Sequence, residues 1–315
     1  MRYKERLNGV REAALRVPYG DKSRLVFFSD CHRNDGSEAD QFSRNRSNFT
    51  AALDYYYRNG FAYVELGDGD ELWAGKDMRR IISLQFDIFA LMRRFYDENR
   101  LLMIYGNHDI VKRSPKWTDL FFRGSNEHCG SRGEWAPFPG IKMHEGIVLR
   151  REGGGEEILL LHGHQADFLN DKLWRLSRFL VRHVWRPLEM IGIKNPTSAS
   201  LNDKKTDKVE RILMDYCKRE SLMMIAGHTH KPMFPCPGET MYFNDGSCVF
   251  PHYVTAIELE EGHLSLVRWI TTVRDGGDLH VRRDVMAGPH RVSDYYERAA
   301  VREAGGVLST QRQNY

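Results

Sequence analysis

At 315 residues the chain is long for one ordinary domain and short for three, which favours one large α/β domain carrying an insertion. Hydrophobic residues make up 41% and charged residues 28%, a globular composition that excludes wholesale disorder and fibrous repeats. The 46 basic and 43 acidic side chains nearly cancel to a net +3, so nothing in the bulk charge signals nucleic acid as a partner. The longest apolar runs, such as Ile158–Leu161 and Leu222–Ala226, are only four or five residues and fall far short of the roughly 20 a membrane-spanning helix needs. The opening MRYKERLNGVREAAL lacks the apolar centre of a signal peptide. Five cysteines (Cys31, Cys129, Cys217, Cys236, Cys248) form no CxxC pair, which argues against disulfides or thiolate zinc. These features predict a cytoplasmic protein with reduced thiols.

Taken in chain order, short β-rich runs alternate with helical patterns. Arg24–Ser29 reads as a buried strand, as do Phe61–Leu66, Leu101–Tyr105, Glu157–Leu161 and Leu222–Ala226. Between the first two, Phe42, Phe49, Leu53 and Tyr56 fall at helical spacing from about Ser37, and Asn59-Gly60 stops the helix. Between the second and third, Met78, Ile81, Ile82, Gln85, Ile88, Phe89, Met92 and Phe95 predict one amphipathic helix. Strand–helix alternation of this kind implies right-handed crossovers and a largely parallel, helix-covered sheet. Glu152-Gly153-Gly154-Gly155-Glu156 reads as a hairpin turn, since its acidic flanks would repel a phosphate. Residues 165–220 are helical throughout. Strands return at Met241–Phe243, Tyr253–Glu260 and His263–Trp269, the last two joined by a turn at Glu261-Gly262. The expected organisation is a domain over 20–270 with a helical insertion at 165–220. A peripheral tail over 271–315 completes the chain, with a strand at Leu279–Val285 and a helix near Ser293–Ala304.

The residues just past each strand carry the chemistry. The first five strands end in Ser29-Asp30-Cys31-His32, Gly67-Asp68-Gly69-Asp70-Glu71, Gly106-Asn107-His108-Asp109, His162-Gly163-His164 and Gly227-His228-Thr229-His230. Ligand sites of parallel sheets lie at the carboxyl ends of strands, so these groups can converge. In an extended chain Asp30 and His32 share one side, and Cys31 points away as a packed thiol. Asp30, His32, Asp68, Asn107, His162, His228 and His230 offer mixed carboxylate, amide and imidazole donors. That mixture suits two borderline divalent ions, with Mn favoured and Fe, Zn or Co acceptable. Seven donors exceed one tetrahedral site; with one bridging carboxylate they make two sites of four. Paired ions roughly 3.5–4 Å apart are the usual device for phosphoryl hydrolysis.

The ordered set D-x-H, G-D-x-x-E, G-N-H-D, H-G-H and G-H-x-H resembles the calcineurin-like metallophosphoesterase superfamily over about residues 24–270. The resemblance implies a four-layered α/β/β/α sandwich with a dimetal centre where the strands end. It places Asp30, His32 and His230 on one ion and Asn107, His162 and His228 on the other, with Asp68 bridging. A hydroxide between the ions would attack the phosphorus, because two cations depress the pKa of bound water. His108 matches the family histidine that contacts the phosphate or protonates the leaving group, and Asp109 is expected to orient it. Arg33 and His164 are candidate substrate contacts. Asp70 and Glu71 are expected to cap the following turn or orient ligands.

The stretch 168–191 reads as a basic amphipathic helix. Leu169, Leu173, Leu176, Leu180 and Val184 line one face and Arg175, Arg178, Arg182 and Arg186 another. Such a helix can touch a membrane surface peripherally, an anionic ligand or a partner, or can simply cap the sandwich. An insertion between the H-G-H and G-H-x-H blocks, with Gly67-Asp68-x-x-Glu71-x-Trp73, resembles the UDP-2,3-diacylglucosamine diphosphatase branch. That branch typically has Arg where this chain has His108, and Asp where it has His164. The expected reaction is hydrolysis of a phosphomonoester, phosphodiester or pyrophosphate on a small or lipid-linked substrate. A non-catalytic scaffold and a nuclease are the competing readings.

Overall fold

Period-two alternation decides which way each strand presents its side chains. Along Arg24–Phe28, Leu25 and Phe27 join one apolar core while Val26 and Phe28 join another, and all four are buried. A strand buried on both faces must be covered on both. The computed structural model, which describes residues 2–37, 40–73, 77–123, 135–185, 203–274 and 276–299, supplies a second sheet on one side and helices on the other.

The strands are β1 (Leu15–Tyr19), β2 (Arg24–Phe28), β3 (Ala62–Leu66), β4 (Leu101–Ile104), β5 (Met143–His144) and β6 (Gly146–Arg151). They continue as β7 (Glu157–Leu161), β8 (Met223–Ala226), β9 (Tyr242–Asn244), β10 (Tyr253–Glu260), β11 (His263–Val273) and β12 (Leu279–Arg291). One sheet runs β12-β11-β10-β2-β3-β4-β5 and the other β1-β6-β7-β8-β9. Within the first, β2, β3, β4 and β5 are parallel; within the second, β7, β8 and β9 are parallel. Their carboxyl ends therefore gather on one edge of the sandwich.

Three apolar cores define four layers. The central one lies between the sheets and includes Phe27, Val64, Ile104, Leu160, Ile225, Phe243 and Ile257. A second packs helices α2 (Arg46–Arg58), α3 (Met78–Leu84) and α4 (Phe86–Asp97) on the seven-stranded sheet through Phe49, Ile81 and Phe89. The third sets α1 (Arg2–Ala13) and the helix Asp203–Glu220 on the five-stranded sheet through Leu7, Val209 and Leu213. The α/β/β/α sandwich expected by resemblance is the fold observed.

Several boundaries differ from expectation. The helix predicted over Met78–Phe95 is two helices, because Gln85 leaves helical geometry and its buried amide accepts from Arg46 Nε at 3.2 Å. Residues before 20 are not outside the domain, since β1 pairs with β6 as an edge strand, where Pro18 is tolerated. Nor is 271–299 peripheral. β12 pairs with β11 along nearly its full length, and a helical segment over 292–299 buries Val292 and Tyr295 in the central core. The sequence could not reveal this because β12 is an edge strand whose exposed Leu279 and Val285 break the alternation. The part of the tail beyond 299 lies outside the described residues.

The insertion is helical among its described residues, but 168–185 is not one helix. It comprises α5 (Phe168–Asp171), α6 (Trp174–Leu180) and a wider turn over Val181–Trp185; residues 186–191 lie outside the described residues. Asp203–Glu220 belongs to the sandwich, because it is the crossover that connects the parallel strands β7 and β8.

Candidate metal centre

Every block singled out in the sequence sits at the carboxyl end of a strand on the common edge: after β2, β3 and β4 of one sheet, and after β7 and β8 of the other. The backbone there is held in a costly conformation. Asp30, His32, Asp68, His228 and His230 all have left-handed φ between 47° and 70°. Such residues persist only where the surroundings over-determine them, and they cluster at functional sites. Two glycines allow the loops to interlock. A Cβ on Gly106 would lie 2.1 Å from Asp68 Oδ1, and one on Gly227 would lie 2.1 Å from Ser29 Oγ and 2.6 Å from Asp30 Oδ2.

The side chains assemble in two groups. Asp30, His32 and His230 present donor atoms within 4.8 Å of one another, and so do Asp68, His162 and His228. His230 Nε2 lies 2.9 Å from Asp30 Oδ1 and 3.4 Å from His32 Nε2. Asp68 Oδ2 stands between the groups, 3.1 Å from His162 Nε2 and 4.0 Å from His32 Nε2. Asn107 Oδ1, His162 Nε2 and His228 Nε2 are buried without a hydrogen-bond partner, a costly state unless a cation accepts their lone pairs. Neighbouring groups fix the aim of the donors: His162 Nδ1 is 2.9 Å from the Leu66 carbonyl oxygen, Asp30 Oδ2 accepts from His228 N at 2.8 Å, and Asp68 Oδ1 accepts from His108 N at 2.7 Å.

Electrostatics agree with a cation site. Burial opposes ionisation of Asp30 and Asp68, yet His230 and His162 beside the first, and His162 and His108 beside the second, hold both carboxyls below their ordinary range. Burial lowers the pKa of His162 while Asp68 and Asp30 raise it, with a net rise to about 9, the response of a ring whose neighbouring carboxylates call for positive charge. A cation of higher charge would displace a proton from it.

A family model described as calcineurin-like phosphoesterase matches residues 23–232. The chain belongs to the calcineurin-like phosphoesterase family. The chain matches no curated protein sequence. Among solved structures it is similar to Vps29 of Chaetomium thermophilum, at 10% identity and TM-score 0.39 over 84% of this chain and 96% of that one. It is also similar to a cold-active protein-tyrosine phosphatase of a psychrophilic Shewanella species, at 13% identity and TM-score 0.38 over 88% of this chain and 84% of that one. The family is dimetal-dependent, and the two donor groups of this chain fit a pair of ions.

His108 lies at the edge of this centre, stacked on the Trp73 indole with ring centroids 4.3 Å apart and 21° between planes. Glu71, not Asp109, positions it: Glu71 Oε2 is 2.7 Å from His108 Nδ1 and 3.1 Å from His32 Nδ1. Asp109 turns instead into its own loop, accepting from Gly106 N and Lys112 Nζ, both at 2.7 Å. Arg33 is likewise corrected. It is fully buried, donating from Nε to Asp70 Oδ1 at 2.7 Å and from Nη1 to Glu65 Oε2 at 2.7 Å, so it cannot reach a substrate. Lys112 Nζ completes this buried network 2.6 Å from Asp70 Oδ2. Removing Arg33 would leave buried Glu65 without its paired cation and Asp70 with Lys112 alone. Arg33→Met is expected to lower unfolding free energy by about 3–5 kcal/mol in urea titration, and a loss below about 1 kcal/mol would contradict the network's role.

His164 is also fully buried, beside His162 and His228 with centroids 5.5 and 6.4 Å away. Burial and these two rings push its pKa well below the ordinary value, which makes it a neutral neighbour of the donors. Sequence reasoning missed Asp245, which follows β9 and whose Oδ1 lies 2.6 Å from Ser29 Oγ, itself 2.5 Å from Asp30 Oδ2. The signal was present, for Asn244-Asp245-Gly246 repeats the pattern of an acid and a glycine after a strand. Asp167 was missed too; its Oδ2 lies 3.6 Å from His228 Nε2.

Proposed function

We propose that the protein hydrolyses phosphate esters at a centre of two divalent transition-metal ions, with manganese the first choice. The observation that carries this reading is the set of buried, unpartnered donors: His162 Nε2 and His228 Nε2, grouped with the Asp68 carboxylate, and Asn107 Oδ1 on the loop whose His108 N donates to Asp68. Asp30, His32 and His230 would hold one ion and Asn107, His162 and His228 the other, with Asp68 shared. Two such ions supply a water nucleophile at neutral pH and neutralise charge on the phosphoryl oxygens. The chain's own groups do the rest. Glu71 engages Nδ1 of His108, which leaves Nε2 as the nitrogen that donates to the phosphate or to the leaving-group oxygen. The Trp73 ring fixes the plane of that imidazole. Asp245 and Ser29 brace Asp30 from behind.

Turnover of p-nitrophenyl phosphate or its diester by Mn²⁺-loaded protein, abolished by chelation and restored by added metal, is the expected result. No turnover on any ester by protein carrying two ions would sink the reading. A lipid-linked diphosphate is a second reading with one observation in its favour: Leu169, Leu173, Leu176 and Phe179 of the insertion are all exposed, giving apolar surface suited to an acyl chain or a membrane face. No described helix is long and apolar enough to cross a membrane.

A further inference from the structure

Arg182 is committed, donating from Nε to the Trp73 carbonyl at 3.0 Å and from Nη2 to the Leu72 carbonyl at 3.3 Å. These bonds tie the insertion to the loop whose tryptophan stacks on His108. Arg113, just beyond the Asn107-His108-Asp109 loop, lies over the Trp174 ring at 5.6 Å. Arg178 stands one helical turn before Arg182. Its Nε is shut off from solvent and has no hydrogen-bond partner among the described residues. A guanidinium never sheds its charge, so a buried donor without an acceptor is a cost the fold gains nothing from. Burial and the neighbouring Arg182 both press against that charge, and the carboxylate that relieves it is Glu71. Glu71 already engages His108, His32 and the Trp73 amide. Arg178 is thus a half-buried cation with a shut-off, unpartnered Nε, one turn from the arginine that holds the Trp73 loop, and the carboxylate that relieves it is already occupied by His108 and His32.

We propose that Arg178 is a substrate-binding residue that donates to a terminal oxygen of the phosphoryl group and biases the site towards monoesters. The inference rests on the phosphoesterase reading and narrows it. A phosphomonoester has three terminal oxygens and carries nearly two charges at neutral pH. A diester has two terminal oxygens and one charge. With two oxygens turned to the donor groups around Asp30 and Asp68, only the monoester keeps a third for a guanidinium. Charge-assisted bonds of this kind favour the more anionic ligand.

The test uses the Mn²⁺-loaded full chain as wild type, Arg178→Gln and Arg178→Lys. Binding of inorganic phosphate and of dimethyl phosphate is measured by calorimetry, and KM and kcat on p-nitrophenyl phosphate and bis(p-nitrophenyl) phosphate. Arg178→Gln is expected to weaken phosphate binding and raise KM for the monoester by at least about tenfold, and to move the diester values by less than about threefold. Arg178→Lys, which keeps the charge, should recover part of the loss and serves if the glutamine variant does not fold. Equal effects on both ligands, no effect on either, or no phosphate binding by the wild type overturn the proposal. An inactive wild type whose phosphate binding still depends on Arg178 overturns the phosphoesterase reading and supports this one. An active wild type indifferent to Arg178→Gln does the reverse.

Discussion

Asp68→Ala is expected to lower kcat/KM by at least about a thousandfold and to leave fewer than two ions per chain after loading and dialysis. The carboxylate stands between both donor groups, 3.1 Å from His162 Nε2 and 4.0 Å from His32 Nε2. Without it, Asp30 alone among the seven donors would carry negative charge against the mutual repulsion of two cations. Its other oxygen accepts the His108 amide at 2.7 Å, so removal also loosens the loop that carries Asn107 and His108. Steady-state kinetics paired with elemental analysis checks both halves. A variant that keeps two ions and loses less than about tenfold in rate would show that Asp68 does not bridge.

The second large effect is on proton transfer. His108→Ala is expected to retain both ions while kcat falls by about 10²–10³ on an ester with a poor leaving group such as phenyl phosphate. On p-nitrophenyl phosphate, whose leaving group needs little protonation, the loss should be markedly smaller. Glu71→Gln keeps the shape but weakens the hold on His108 Nδ1 and His32 Nδ1, so it should reproduce part of the His108 effect with the same leaving-group trend. A loss of equal size on both esters would place His108 in phosphate binding alone. A loss of metal would recast it as a ligand.

The donors were legible because strand ends are. Each of Asp30, Asp68, Asn107, His162 and His228 comes just after a buried apolar run in the sequence, and the topology of parallel strands does the gathering. Roles that depend on side-chain direction were not legible. Arg33 and Asp109 sit within the motifs yet point into a buried charge network, while Glu71, three residues past Asp68, turns back to His108. Spacing cannot tell an arginine facing a substrate from one facing Glu65 and Asp70 across a loop. The same limit hid the reach of β12, expected only over Leu279–Val285, because its pairing with β11 is a long edge contact with little apolar pattern of its own. The break in 168–185 is a packing effect, since α6 has no buried residue to hold a long helix straight.

The central claim is that loops from both sheets hold a pair of cations around one carboxylate. Anomalous diffraction from a manganese-loaded crystal tests it most directly. Two peaks about 3.5–4 Å apart are expected, one beside Asp30, His32 and His230, the other beside Asn107, His162 and His228, with Asp68 touching both. A single peak away from Asp68, or no peak among these side chains, would contradict it.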